Sequence, residues 1–318
     1  MNLYRSVRAV TSASGEGPID WSAVAEAAKA STEAGSIDVS EAEADGYADD
    51  VRDARRRVRG VADLEFDVPR AVEIQNRHHW IDANVETFGR LMRPLEEETA
   101  DFFPGAARVV NTGSTSFMLG FLARNVLGQY DPLLLAEEPD DHALYFVRPN
   151  IRRTADSLNV EYARFRRWIA FHEVTHAAEF GAAPWLSEHL EEHMERGIGA
   201  VADGSLDRDA FKELDAVMTV VEGYAELLMD HAFDDEYADL RRKLDQRRQG
   251  RGPLAHLVRR ALGLGLKRRQ YERGKAFFET VAEERGVAAA GAVWERPETL
   301  PTPDEVDSPR SWIRRVDP

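Results

Sequence analysis

The sequence contains no cysteine among its 318 residues. This absence excludes disulfide frameworks, zinc fingers with thiolate ligands, iron–sulfur clusters and catalytic thiols. A metal ion in this protein would therefore have to be bound by histidine, aspartate or glutamate. The hydrophobic content of 43% is sufficient for a buried core, so the chain is predicted to fold rather than to be intrinsically disordered.

Lysine is scarce as well. Five of the 41 basic residues are lysines, and 57 acidic residues give a formal net charge of −16. A surface this acidic argues against nucleic-acid binding, because such proteins place basic side chains against phosphates. Two interpretations of the composition stay open: adaptation to strong salt, as in a halophile, and an acidic protein encoded by an arginine-rich genome.

Long apolar runs are also missing. The first 21 residues are interrupted by charged side chains and do not form a signal-peptide pattern. The most apolar segment, 117–123, ends at Arg124 and is far shorter than the roughly 20 residues that a membrane-spanning helix needs. We therefore expect a cytoplasmic protein without a membrane partner, whose oligomeric state the sequence does not indicate.

Hydrophobic periodicity indicates an α+β fold that is mainly α-helical, with a small β-sheet. Segments 68–75 and 143–147 combine β-branched and aromatic residues, which is typical of strands. Residues 1–60 are polar and rich in alanine and glutamate, and we interpret them as a helical N-terminal segment. Residues 61–318 are predicted to form one continuous domain.

Two segments have the clearest helical patterns. The first carries residues at spacings of three and four: Phe165, Trp168, Ile169, His172 and His176. The second carries apolar residues from Phe211 to Ala232 at the same spacings. Residues three and four apart share one face of an α-helix, so both segments are predicted to be core helices.

The first core helix contains the motif H-E-x-x-H at residues 172–176. Histidines four apart lie about 40° apart around the helix axis, so their imidazoles can bind one zinc ion. Glu173 is rotated by about 100° from His172, which places its carboxylate beside the metal, where it can take a proton from zinc-bound water. His172 and His176 are therefore predicted to be zinc ligands and Glu173 the catalytic base.

A catalytic zinc ion usually has three protein ligands, and the second core helix offers two carboxylates beside its apolar face. We predict that Glu222 is the third ligand and that Glu226, one turn further, accepts the ring N–H of a ligating histidine. Gly223 would allow another helix to approach closely. The alternative is an ordinary solvated pair of glutamates at a helix edge.

Other histidine patterns are weaker. His189 and His193 form the reversed motif H-x-x-E-H, but their neighbours are mostly polar, which indicates a solvated helix face. His78 and His79 are adjacent, so their side chains diverge, and we interpret them as structural. The sequence has no G-x-S-x-G nucleophile elbow, P-loop or dinucleotide-binding glycine pattern.

The motif and its surroundings resemble a known family. Similar blocks cover residues 126–131, 145–151, 170–180, 184–186, 222–230, 270–274 and 294–301. They are similar to the zincin-like metallopeptidase-type proteins often labelled as associated with deazaflavin-coenzyme biosynthesis, and the similarity extends from about Trp80 to Trp312. The resemblance implies a zincin-like α+β fold.

By extension from gluzincins, the resemblance also implies a site composition. His172 and His176 would be ligands, Glu173 the base and Glu222 the third ligand. The chain departs from better-known gluzincins at one position, because Val221 stands where an asparagine precedes the third ligand.

These features predict a zinc-dependent hydrolase, namely a metallopeptidase in which a zinc-activated water attacks a peptide or small amide substrate and Glu173 is the general base. The alternative is a non-catalytic binding or scaffold protein that keeps the zincin fold with an inert zinc site. Catalysis also requires an oxyanion donor. Four candidates are present: Tyr224, Tyr271, His189 and His231.

Overall fold

The computed structural model describes residues 2–14, 17–69, 71–99, 105–131, 143–202, 207–233, 237–249 and 264–318. The α-helices are α1 (Leu3–Thr11), α2 (Trp21–Ala30), α3 (Glu41–Ala62), α4 (Arg77–Thr99), α5 (Gly105–Ala123), α6 (Arg148–Leu158), α7 (Tyr162–Ala182), α8 (Leu186–Ala202), α9 (Arg208–Ala232), α10 (Ala238–Gln249), α11 (Leu264–Arg285), α12 (Pro303–Val306) and α13 (Pro309–Val316). Short 3₁₀-helices span Ala288–Trp294 and Pro297–Thr299. The strands are β1 (Ala71–Gln75), β2 (Gly128–Asp131) and β3 (Ala143–Val147). The prediction of a mainly helical α+β fold is confirmed.

The residues pack into two compact units that interleave along the chain. The first unit comprises Met1–Glu41, Ala71–Thr154 and Met194–Asp207, and the second comprises Ala42–Arg70, Ala155–His193 and Arg208–Pro318. Interleaved packing units differ from consecutive folding domains, so the predicted division of the chain after residue 60 stays a prediction.

The first unit contains the β-sheet, whose strand order is β1-β3-β2. β1 and β3 are parallel, with Ala71 opposite Ala143, and both lie within the predicted strand segments. β2, which the sequence analysis did not predict, pairs antiparallel with β3. The unit's core includes Trp80 and Ile81 of α4 packed with Leu119 and Ala123 of α5.

The second unit contains both predicted core helices, which are confirmed as α7 and α9. The Glu161 side chain caps the start of α7 by accepting the backbone N–H groups of Ala163 and Arg164. α7 ends at Ala182, and Pro184, which follows, cannot continue a helix. From residue 219 to residue 229 every position of α9 is buried, whereas Phe211 near its start is 43% exposed, so the predicted apolar face begins later than expected.

α9 and α11 cross in backbone contact. A Cβ atom at Gly223 would lie 2.5 Å from the backbone of Gly274, and one at Gly274 would lie 2.2 Å from the carbonyl oxygen of Thr219. Any side chain larger than hydrogen would therefore force the helices apart. The prediction that Gly223 permits close approach of another helix is confirmed.

Candidate metal centre

α7 presents His172 and His176 on the same face, one helical turn apart. Their Nε2 atoms lie 3.3 Å apart, and their rings are nearly perpendicular, at 76°. Two ligands about 2.05 Å from a tetrahedral zinc ion are separated by about 3.3 Å. The spacing of the two nitrogens therefore fits one zinc ion without rearrangement of the helix.

Glu222 on α9 brings a carboxylate to the same place. Its oxygen and the ring nitrogens of His172 and His176 all lie within 4.8 Å of one another. Among the described residues, this is the one group of three or more His, Cys, Asp or Glu side chains that meets such a criterion. Glu222 is only 4% exposed, so the alternative of a solvated glutamate does not apply to it.

Glu179 determines which nitrogen of His176 is available to a metal. The Nδ1–H of His176 donates to Glu179 Oε2 over 2.9 Å, and Glu179 is fully buried. A neutral imidazole with its proton on Nδ1 has its lone pair on Nε2. In the neutral form that a metal ion requires, this lone pair would face His172 and Glu222.

The charges around His176 favour a cation. Burial alone lowers the pKa of His176, but three nearby carboxylates raise it more strongly, to about 9. These carboxylates belong to Glu179, Glu222 and Glu173. Burial also raises the pKa of the Glu179 carboxyl to about 7, although His176 opposes this effect. A divalent cation would compensate this concentration of buried negative charge, so the donor set fits zinc.

Glu173 and Glu226 differ in what surrounds them. Glu173 is 5% exposed, and its charge contributes to the raised pKa of His176; its role as the general base stays a prediction. Glu226 is 7% exposed, and its Oε2 lies 3.5 Å from Nη2 of Arg241. The carboxylate bound to the ring N–H of His176 is thus Glu179, which the sequence analysis missed, and a contact of Glu226 with the other histidine stays a prediction.

The candidates for the oxyanion donor occupy different environments. Tyr224 is fully buried between Phe278 and Trp294, and burial followed by the charge of Glu179 raises its pKa. This enclosure does not by itself decide whether the hydroxyl reaches a substrate, because Glu173 and Glu222 are buried as well. His231 is exposed and nine residues beyond Glu222 on α9, about 13.5 Å along the helix axis.

His189 is half-buried on α8 and contacts Trp185 edge to face. Burial, followed by the charge of His193, lowers the pKa of His189. The side chain of Tyr271 lies outside the described part of the structure. The choice of the oxyanion donor among the four candidates therefore stays a prediction.

The remaining histidine patterns have structural contacts. His193 of the reversed motif donates its Nδ1–H to the carbonyl oxygen of His189 over 2.7 Å, and its Nε2 lies 3.1 Å from Glu213 Oε2. His193 is half-buried, so this segment is not the fully solvated face that its polar neighbours predicted. His78 donates a ring N–H to the carbonyl oxygen of Thr32 over 2.8 Å, in agreement with a structural role.

Two histidines from an H-E-x-x-H helix and a glutamate from a second helix could together hold a metal ion, which is the ligand pattern of the zincin type. The family model of the zincin-like metallopeptidases matches residues 19–206 and 190–313, and the chain belongs to this family. The resemblance inferred from the sequence is therefore confirmed at the level of the zincin-like family.

The chain is also similar to a Chloroflexus aurantiacus protein, whose crystal structure is described as a novel fold and to which a hydrolase activity is ascribed. The two chains are 30% identical, with a TM-score of 0.74, and the match covers 100% of this chain and 99% of the other. No curated protein matches the chain. Family and relative together support a hydrolase of the zincin type that binds zinc.

None of the described helices combines the length and the hydropathy that a membrane-spanning segment needs.

Proposed function

We propose that this protein is a zinc-dependent metallopeptidase. The proposal is carried by the convergence of ligand atoms from His172, His176 and Glu222 within 4.8 Å of one another. The buried carboxylate of Glu173 beside them supports a catalytic role, because a structural zinc site needs ligands alone. Family membership supports the same reaction class.

Each residue of the centre would have a distinct role in amide hydrolysis. His172, His176 and Glu222 would hold zinc, which supplies a Lewis acid for the scissile carbonyl and lowers the pKa of water. Glu179 keeps the proton of His176 on Nδ1. Glu173 takes the proton of the attacking water and then gives it to the leaving nitrogen.

Proton delivery by Glu173 also indicates the substrate class. An amine is expelled from an amide only after it has been protonated, and a glutamate beside the metal both removes and returns that proton. A peptide or a small amide is therefore the substrate that this arrangement suits.

The test begins with zinc content. The wild type and two variants, His172→Ala and Glu173→Gln, are purified without chelator in low-salt and high-salt buffers, and zinc per chain is measured by elemental analysis. We expect about one zinc in the wild type and in Glu173→Gln, and none in His172→Ala. The absence of zinc from the wild type would contradict the proposal.

Turnover is then measured on a peptide library by mass spectrometry. We expect Glu173→Gln to lose at least about 100-fold in rate, whereas the control Glu188→Gln, at an exposed position of α8, retains wild-type activity. Hydrolysis by Glu173→Gln at the wild-type rate would refute the role of the base. Zinc without turnover in the wild type would instead support the inert scaffold.

A further inference from the structure

The reversed motif on α8 contains a second pair of histidines one helical turn apart. The ring centroids of His189 and His193 are 4.3 Å apart, compared with 4.6 Å for His172 and His176. Both rings of the second pair belong to half-buried residues. α8 therefore repeats the histidine arrangement of the candidate metal centre, on a helix to which the proposed function assigns no ligand.

A carboxylate from α9 lies against this pair, as at the first centre. Glu213 Oε2 is 3.1 Å from Nε2 of His193. Two ligands about 2.05 Å from a tetrahedral zinc ion are separated by about 3.3 Å, so these two atoms already have nearly the separation that a shared metal ion requires. Glu213 and Glu222 are nine residues apart on α9, about 13.5 Å along the helix axis, so the two groups of side chains are distinct.

The hydrogen bond of His193 determines what can lie between its ring and Glu213. Its Nδ1 is 2.7 Å from the carbonyl oxygen of His189, and because a carbonyl only accepts, this nitrogen carries a proton. In the neutral ring, Nε2 then has a lone pair beside the Glu213 carboxylate. Two electron-rich atoms at this distance need a cation between them, which is either a second proton on the ring or a metal ion.

His189 can supply a third ligand. Burial, followed by the charge of His193, lowers the pKa of His189 although Glu192 and Glu213 oppose this effect, so the ring is neutral and keeps a lone pair at neutral pH. No hydrogen bond to another described residue holds this ring, and it contacts Trp185 edge to face. The three ligand atoms do not lie within 4.8 Å of one another as those of the first centre do, so metal binding requires the His189 ring to rotate.

We propose that His189, His193 and Glu213 form a second binding site for a divalent transition-metal ion, independent of the proposed catalytic centre. Two imidazoles and a carboxylate suit zinc, and the ion joins α8 to α9. The Glu213 side chain is 45% exposed, so zinc binds here more weakly than at the buried centre and is lost during purification in metal-free buffer. With His189 bound to this metal, the oxyanion donor is one of the other three candidates.

The test is equilibrium dialysis of the purified protein against added zinc, followed by elemental analysis. We expect about two zinc ions per chain in the wild type and about one in His193→Ala and in Glu213→Gln. The matched control is His231→Ala, because the exposed His231 also donates its Nδ1–H to a carbonyl four residues earlier, that of Leu227, and it should keep both ions. A wild type with a single zinc that His193→Ala retains would refute the second site.

The variant His172→Ala separates this proposal from the proposed function. It removes a ligand of the first centre, so after dialysis we expect about one zinc per chain, bound at the second site. A wild type with a single zinc that is lost in His193→Ala but kept in His172→Ala would refute the proposed function and support the second site.

Thermal unfolding distinguishes a metal ion from a second proton on His193. A metal ion that binds only the folded chain raises Tm, whereas an imidazolium paired with Glu213 stabilises the fold without metal. Starting from the wild type as purified, we expect added zinc to raise Tm by at least about 2 °C. The same addition should leave the Tm of His193→Ala and of Glu213→Gln unchanged. An equal rise in all three proteins, or no rise in the wild type, would overturn the proposal.

Discussion

Replacement of Glu179 tests how strongly zinc binding depends on a residue that is not itself a ligand. Its carboxylate is fully buried and accepts the Nδ1–H of His176 over 2.9 Å. Partners of this kind typically contribute 10–100-fold to metal affinity, which corresponds to about 1.4–2.7 kcal/mol. Glu179→Gln keeps an acceptor but removes the charge, so we expect a loss of about tenfold. Glu179→Met removes both, and a loss of about 100-fold is expected.

The assay is competition for zinc with a chromophoric chelator at fixed pH and ionic strength. Thermal unfolding of the zinc-free variants serves as the control, because it shows that the fold persists. We expect zinc affinity to decrease from the wild type to Glu179→Gln and further to Glu179→Met. If Glu179→Met binds zinc as tightly as the wild type, Glu179 does not orient His176 and the assignment of its tautomer is wrong.

Two further predictions concern stability. Gly223→Ala would bring a methyl group to 2.5 Å from the Gly274 backbone, and we expect it to lower the free energy of unfolding by about 1–3 kcal/mol in urea titrations. The control is Gly60→Ala, because a Cβ at Gly60 on α3 would meet nothing within 4 Å, and equal stability of both variants would contradict the backbone contact. Arg315 donates to both Glu305 oxygens, over 2.7 and 2.8 Å, and this hydrogen bonding lowers the pKa of Glu305. A lowered pKa stabilises the fold above the ordinary glutamate value of 4.5, and this contribution is lost as the pH falls through the lowered value. Arg315→Met should therefore lose about 1 kcal/mol at pH 7, a figure reduced for the partly exposed arginine. The difference from the wild type should diminish as the pH falls below the ordinary glutamate value, and a difference independent of pH would show that packing rather than charge is involved.

The parts of the centre on α7 could be predicted because they depend on local geometry. Helical spacing alone brings His172 and His176 to one side, and the surrounding apolar residues indicate burial. Glu222 could be predicted because a carboxylate on a core helix needs a partner. The close contact at Gly223 could be predicted because glycine, which has no side chain, stands among larger residues on a core helix.

Other features depend on tertiary contacts that spacing does not show. Glu179 lies three residues after His176, so the signal H-E-x-x-H-x-x-E was present, but which of several glutamates reaches Nδ1 depends on the rotamers of a packed site. β2 is only four residues long and is defined by pairing with β3 rather than by its own composition. The polar neighbours of the reversed motif at His189 indicate a solvated face. Its environment depends instead on Leu186 and Leu190, which are buried.

The backbone contact between α9 and α11 has a consequence for metal selectivity. Glu222 immediately precedes Gly223, so the proposed third ligand lies beside a point where α9 can move no closer to α11. How far this residue can shift is limited by contact between main-chain atoms, which cannot adapt as side chains can. Ions that need longer bonds and more oxygen ligands, such as Ca²⁺, would therefore be disfavoured by stiffness as well as by the nitrogen donors. Redesign of this centre for another metal would have to begin at the glycine pair and not at the ligands.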